Sequence, residues 1–498
     1  MVLARVDAGL HLAAMRLLLV LVLFAASIAG AAERPNVVLF VCDDLGKQLG
    51  CYGDKVARTP NIDQLAKEGV LFNRAFCTTA SCSASRSVIL SGLHNHANGQ
   101  FGHQHSFHHF SSFPAVQSLP VVLNKGGYRT ARIGKFHVAP EEVYRFETVI
   151  PGPARNGAVM ADNCRALFEQ PDERPFFLYF CTADPHRGGI DKNHPLKPDR
   201  FGNGQEYRGV DEQVFDPKSV PVPSWLSDTE ATRAELAQYY QSVARVDAGL
   251  GKLVALLKET GQYEKTLIIF TADNGPAFPG SKTTLYEPGM CLPLIVRGPG
   301  VTRKGAASDA LVSWVDLTPT ILDVCKVAPP AEGAVLDAIP EDARPGRATR
   351  REPYRLHGCS FAGVWNEEAP APRGPVFASH TFHEITMYYP MRVLRNERYK
   401  LILNLAHQLP YPFASDLHES AVWQEVLRTK ATQLGARSVQ DFVHRPRYEL
   451  YDLQNDPGEL RNLATDPAHQ AVFEEMAAKL KGLQKATRDP WVVKYEYE

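Results

Sequence analysis

The sequence predicts an α/β protein with a large, mostly parallel central sheet flanked by helices, followed by a smaller C-terminal α+β subdomain. Three observations carry this. Residues 36–41, 176–180 and 266–270 are short, unbroken apolar runs rich in aromatic or β-branched residues, the pattern of strands covered on both faces. Segments of helical periodicity separate them, as crossover connections between parallel strands require. From Val376 the pattern shifts to extended pieces at 399–403 and 448–451 and one closing helix.

The bulk properties narrow the function. The chain has 498 residues and a formal net charge of −1, which excludes a broadly basic nucleic-acid surface, so any anionic ligand needs a local pocket. Near the N-terminus, Arg16 precedes an apolar run at 17–26 and small residues up to Ala31 and Ala32, the pattern of an export signal over 1–32. Asp7 and His11 fit that pattern badly, which makes Met15 an alternative start. The apolar run is too short to span a bilayer and nothing later approaches spanning length, so the mature protein is expected to be soluble. A catalytic domain is expected over 33–375 and the C-terminal subdomain over 376–498. The nine cysteines are scattered and odd in number, with Cys42 and Cys181 reading as buried thiols. No Asn-x-Ser/Thr acceptor occurs, which favours a secreted or bacterial periplasmic setting over a lysosomal one.

In chain order, run 36–41 ends at Cys42, Asp43 and Asp44; adjacent carboxylates at a buried strand end call for a hard cation, unless they are solvated loop acids. Thr59 and Pro60 open a helix with Ile62, Leu65 and Ala66 on one face, stopped by Gly69. Cys82 lies just ahead of a helix-like run at 85–91 that carries Arg86 four residues on. Helix N–H groups would face Cys82 and favour an anion there, although a buried structural cysteine at a helix start reads equally well. His94, His96, His103, His105, His108 and His109 lack cysteine partners and helical spacing, and read as a loop near the pocket rather than a zinc site. Residues 126–134 read as a turn into a short strand delivering Lys135 and His137, which extended chain would point to one side; surface polarity is the alternative.

Run 176–180 leads to Asp184, Pro185, His186 and Arg187, and 195–225 reads as an irregular insertion. Ser227 and Glu230 form a capping box before a long helix whose apolar stripe includes Leu236, Tyr240, Val243, Leu250 and Leu257, with Gly261 at its end. Run 266–270 ends at Asp273, Asn274 and Gly275, with Lys282 beyond. A further strand is expected at 292–296, a helix opening at Thr318 and Pro319, and a loop or linker over 329–353. The closing helix starts near Asp466 and Pro467 and carries Val472, Phe473, Met476, Leu480 and Leu483.

Ligands of parallel sheets gather beyond the carboxyl ends of the strands. Asp43 with Asp44, Asp184 with His186, and Asp273 with Asn274 all follow such ends. Hard oxygen donors without a thiolate pair suit Ca²⁺ or Mg²⁺ better than Zn²⁺. Arg86, Lys135 and Lys282 could surround an anion at that metal.

Cys82-Ser83-Ala84-Ser85-Arg86 with Leu90-Ser91-Gly92 resembles the signature of the type I sulfatase family, with Ala84 at the position of the commoner proline. Asp43-Asp44, Gly134-Lys135 with His137, Asp184-Pro185-His186 and Asp273-Asn274-Gly275 are similar to the family's other motifs, in the same order. Asp184 to Arg187, Phe201 to Gly204 and His383 to Met387 resemble the heparan N-sulfatase branch, where the mammalian form has arginine at the position of Lys282. The resemblance implies an alkaline-phosphatase-like fold and an enzyme that removes N-sulfate from glucosamine in heparan-type glycans. An O-sulfatase, a phosphoester hydrolase of the same superfamily and a non-catalytic glycan-binding protein are the rivals. It also implies that a formylglycine-generating or anaerobic sulfatase-maturating enzyme converts Cys82 to formylglycine, whose hydrate attacks sulfur. Implied metal ligands are Asp43, Asp44, residue 82, Asp273 and Asn274, around one Ca²⁺ or Mg²⁺. Arg86 and Lys135 would position the nucleophile, His137 act as base, and His186 or Lys282 protonate the leaving nitrogen. Arg187, His383 and Glu384 would contact the sugar. Expected partners are the sulfated glycan, the maturation enzyme and a second copy in a homodimer, with no nucleic acid.

Overall fold

The computed structural model describes residues 34–188, 200–330 and 355–497. The export signal at 1–32 lies outside them, as do 195–199 of the expected insertion and 331–353 of the expected linker. The described residues from Asn36 onward form one compact unit.

The central sheet has eight strands: β1 (Asn36–Cys42), β2 (Val70–Phe72), β3 (Arg129–Gly134), β4 (Thr148–Ile150), β5 (Phe176–Cys181), β6 (Thr266–Ala272), β7 (Leu294–Arg297) and β8 (Ala306–Ser308). Their order is β8-β2-β7-β6-β1-β5-β3-β4, parallel throughout except for β7, which is antiparallel to both neighbours. Every residue of β1, β5 and β6 is buried, which is why these strands read as continuous apolar runs. Phe40 stacks on Phe180 at 4.8 Å between ring centroids and meets Phe270 at 5.4 Å. The run at 292–296 is split at Pro293, which has no N–H for a ladder; only 294–297 joins the central sheet, and 291–292 pairs elsewhere.

Register aligns the strand ends. Val41 pairs with Cys181, Cys42 with Ala272 and Gly134 with Cys181. The ladder runs one residue further, since Asp273 N–H donates to the Cys42 carbonyl at 3.0 Å and Lys135 N–H to the Cys181 carbonyl at 2.9 Å. Chemistry-bearing residues therefore leave β1, β3, β5 and β6 at one edge.

Helix α1 (Pro60–Glu68) has Thr59 at its N-cap and Pro60 in first position, as its sequence suggests. Helix α2 (Cys82–Ser91) begins three residues earlier than its apolar run indicates, so Cys82 lies in the first turn rather than ahead of it. All ten of its residues are buried, and Gly92 closes it at φ +66°. The long helix α3 (Glu230–Glu259) is capped by Thr229, whose side chain accepts from Thr232 N–H, not by Ser227. Ser227 instead donates to the Gln433 carbonyl. The helix α4 (Leu317–Val324) opens one residue before Thr318, behind a capping box of Ser313 and Asp316 on the preceding turn.

A second, antiparallel sheet follows: β9 (Val376–Phe382), β10 (Tyr388–Arg395), β11 (Tyr399–Asn404) and β12 (Tyr448–Asp452), in that order. The helix α6 (Gln470–Ala486) packs Met476 and Leu480 against Phe377, Leu401, Leu403 and Leu450 of this sheet. Between β11 and β12 stands α5 (Ser415–His418), a single turn.

Candidate active site

The aligned strand ends of the central sheet and the first turn of α2 enclose a cluster of buried charge. Asp43, Asp44, Cys82, Arg86, Asp273, Asn274 and Lys282 are all fully buried. Arg86 Nε donates to Asp273 Oδ2 at 2.9 Å and its Nη2 to Asp43 Oδ1 at 3.4 Å, while Lys135 Nζ donates to Asp43 Oδ2. Lys282 Nζ donates to Asp44 Oδ2 at 2.9 Å and to Asp416 Oδ2 at 2.7 Å. Asn274 Nδ2 donates to Asp44 Oδ1 at 2.7 Å. Cys82 Sγ lies 3.7 Å from Asp44 Oδ1.

Burial at this density reshapes acidity. It pushes Asp273 up to about 8 despite Arg86; at Asp43 the same burial is outweighed by Lys135, His186 and Arg86, which hold that carboxyl well below the usual range. Burial would discharge Lys282, yet Asp416 and Asp44 outweigh it and raise the ammonium well above its ordinary value. At Asp416 burial likewise loses to Lys282 and His186, and the carboxyl drops to about 2. Burial drives the Cys82 thiol well upward against the pull of Lys135 and Lys282, so the unmodified residue is a protonated, weakly nucleophilic thiol.

The donor set fits a hard divalent cation. One oxygen each of Asp43 and Asp44 and the Cys82 sulfur lie within 4.8 Å of one another. Asn274 Oδ1 is buried with no hydrogen-bond partner among the described residues, an acceptor whose desolvation a cation would offset. Oxygen ligands of this kind suit Ca²⁺ or Mg²⁺.

Above the cluster opens a cavity of about 390 Å³, lined by Lys135, His137, His186, Lys282, His383 and Glu384 of the expected residues. His186 Nδ1 lies 2.5 Å from the Arg187 carbonyl, to which it can only donate, so in the neutral ring Nε2 carries the lone pair; it lies 3.8 Å from Asp44 Oδ2. Burial and the nearby lysines lower the pKa of His186. Burial, with Lys135 and His103, also lowers that of His137 well below the usual range, so this ring is a neutral base. His137 sits at φ +61°, beyond the end of β3; it and Lys135 reach the cavity through a turn and not as alternate residues of extended chain.

Arg187 does not contact the cavity. Its guanidinium is buried in a two-point pair with Glu235 at 2.8 and 3.0 Å, donates to the Ala277 carbonyl and lies over Phe201 and Phe278, so it ties the loop after β5 to α3 and is not a sugar contact. Asp184 is likewise a scaffold residue, held by Arg155, Ser242 and Arg245. Three contributors went unassigned in the sequence. His103 and His105 come from the histidine-rich segment: His103 Nε2 lies 2.9 Å from His383 Nε2, and His105 Nδ1 lies 2.5 Å from His137 Nε2. Asp416, on α5, lines the cavity 134 positions from Lys282 in sequence and has no local motif to mark it.

A mostly parallel sheet whose strand ends hold carboxylates, with cations and imidazoles facing a cavity, is the arrangement of a hydrolase of alkaline-phosphatase-like fold. The model of the family described as Sulfatase matches residues 35–327. Human N-sulphoglucosamine sulphohydrolase is 38% identical over 479 residues, covering 93% of this chain and 92% of its own. An N-acetylglucosamine-6-O-sulfatase of Bacteroides thetaiotaomicron is 24% identical, covering 95% and 91%. Among solved structures, BT4656 in complex with its substrate D-glucosamine-2-N,6-O-disulfate superposes with a TM-score of 0.61 at 21% identity, covering 92% of this chain and 99% of that one. A phosphonate monoester hydrolase of Agrobacterium radiobacter reaches 0.63 at 19%, covering 91% and 96%. The chain belongs to the sulfatase family.

Proposed function

We propose that this enzyme hydrolyses the N-sulfate of glucosamine units in heparan sulfate or heparin-type glycans. The observation that carries the substrate is the 38% identity over 93% of the chain to a relative named for N-sulphoglucosamine. The residue roles below are likewise proposals. Cys82 would serve as formylglycine after conversion by a separate maturation enzyme, in keeping with a thiol that burial makes unreactive. Asp43, Asp44, Asp273 and Asn274 would hold Ca²⁺ or Mg²⁺. The hydrated aldehyde would supply the nucleophilic oxygen, and a cation held by these residues would supply Lewis-acid charge to the sulfonyl group.

The remaining work falls to side chains. Lys135 and Arg86 hold Asp43 and Asp273 in place beside residue 82 and would position it through them. Lys282, kept charged between two carboxylates, balances the sulfonyl oxygens and gives up its proton reluctantly. His186 is the proposed donor to the leaving nitrogen: its Nδ1 is held by the Arg187 carbonyl, which leaves Nε2 to carry the transferred proton once the ring is protonated. His137, neutral and beside Lys135, removes the proton that lets sulfate depart. His383 and Glu384 face the sugar from the cavity wall; Glu384 Oε1 is steadied by Ser415.

The test is sulfate release by the matured enzyme from N-sulfated and 6-O-sulfated glucosamine, with the mass of the peptide carrying residue 82 measured in parallel. Release from the N-sulfate and an aldehyde mass are expected. Release only from the O-sulfate would replace this reading with an O-sulfatase, and an unmodified thiol in active protein would overturn the aldehyde.

A further inference from the structure

We propose that Asp416 selects sulfamates over sulfate esters by contacting the leaving nitrogen, an assignment that rests on the function proposed above. Asp416 Oδ2 accepts from Lys282 at 2.7 Å, while its Oδ1 is buried, belongs to a cavity-lining residue and has no hydrogen-bond partner among the described residues. One Asp416 oxygen, one Asp44 oxygen and a His186 ring nitrogen lie within 4.8 Å of one another. That grouping is not a second metal centre, because Lys282 Nζ already bridges Asp44 and Asp416 at 2.9 and 2.7 Å and is the cation between them.

A carboxylate beside an anion-binding cavity is a liability unless some part of the substrate calls for it. The sulfonyl oxygens do not, since they carry negative charge. The leaving atom of a sulfamate does. It is a nitrogen bearing a hydrogen, and Oδ1 is an acceptor without a donor. In the overall reaction one water adds across the S–N bond: sulfur gains an S–O bond, nitrogen keeps the electron pair of the broken bond and takes both protons of water, and the products are an alkylammonium and sulfate. Positive charge thus grows on nitrogen as the bond breaks, and an adjacent carboxylate stabilises that state more than the ground state. The leaving atom of a sulfate ester has no hydrogen and gains negative charge, so the same carboxylate opposes its departure. His186, the proposed proton donor, places a ring nitrogen within 4.8 Å of the Asp416 oxygen.

The experiment compares matured wild type and Asp416→Asn on glucosamine 2-N-sulfate and on glucose 2-O-sulfate, which places an ester oxygen where the nitrogen was. The wild type should prefer the sulfamate. Asp416→Asn should lower kcat/KM for the sulfamate about 100-fold and for the ester by at least about tenfold less, since the ester loses only the support of Lys282, and Asp416→Glu should restore part of the preference. Equal losses on both substrates would reduce Asp416 to a holder of Lys282 and overturn the assignment while leaving the proposed function standing. A wild type that cleaves only the ester would overturn both. A readout independent of variant folding is product inhibition of the wild type: glucosamine, cationic at neutral pH, should inhibit at least about tenfold more tightly than glucose, and equal inhibition would also overturn the assignment.

Discussion

Lys282 is the side chain on which two buried carboxylates depend, and replacing it leaves Asp44 and Asp416 facing each other without their shared cation. Lys282→Met should cost about 3–5 kcal/mol of stability, measured by denaturant unfolding, and reduce sulfate release at least about 100-fold. Cys82 should behave differently. Cys82→Ala removes one buried sulfur, so stability should change by about 1 kcal/mol, whereas activity should fall below about one thousandth of wild type. Unchanged glycan binding in that variant, with no sulfate released by the variant or by matured wild type, would point to a protein that binds without catalysis. Arg187 shows how far a residue can be read from its neighbours. The family resemblance implied a sugar contact, but its partner Glu235 lies 48 positions away on α3, and the pair holds the guanidinium outside the cavity lining.

At the scale of elements, the strands were legible because burial on both faces demands unbroken apolar runs, and the site was legible because polar residues interrupt those runs at the same register. Asp43, Asp273 and Lys135 all follow directly on a strand. The single turn α5 was not legible, since four residues carry no periodicity and the value of Asp416 comes from Lys282 across the fold. The cap of α3 was misread by two positions because Ser227 and Thr229 are both acceptable caps and only packing chooses. Gly134 at the end of β3 is a stricter requirement: φ is +83°, and a Cβ there would stand 2.0 Å from the Cys181 carbonyl oxygen. Gly134→Ala should destabilise by more than about 2 kcal/mol and displace Lys135, lowering both melting temperature and activity. Removing the divalent cation with EDTA should lower the melting temperature, because the strand ends lose a ligand that binds only when they are assembled; Ca²⁺ or Mg²⁺ should restore it, and an unchanged melting curve would count against the oxygen-donor site.

For the whole molecule, buried histidines set the response to pH. His96 bridges Ser379 on β9 and Thr487 after α6, and its ring stacks with His94. Burial lowers His96 to about 4, and His357 and His380 to about 3. Folded pKa values below the unfolded value near ~6.5 mean that, below that pH, the unfolded chain binds protons the folded one refuses. Stability is therefore full above about 6.5 and is lost as pH falls toward 4, by about 1.4 kcal/mol per pH unit for each such ring. Melting temperature should be clearly lower at pH 5 than at pH 7.5, and a flat profile would contradict the burial of these rings.

The position of Cys82 also fixes an order of events in biosynthesis. Its side chain is 0% exposed, in a helix whose ten residues are all covered, so no second protein can reach Sγ in the finished fold. Any maturation has to act on the nascent or unfolded chain, when the segment around residue 82 is still an extended peptide. Chain folded without the maturation machinery should stay inactive when that machinery is added later, and the same chain presented unfolded should become a substrate for it.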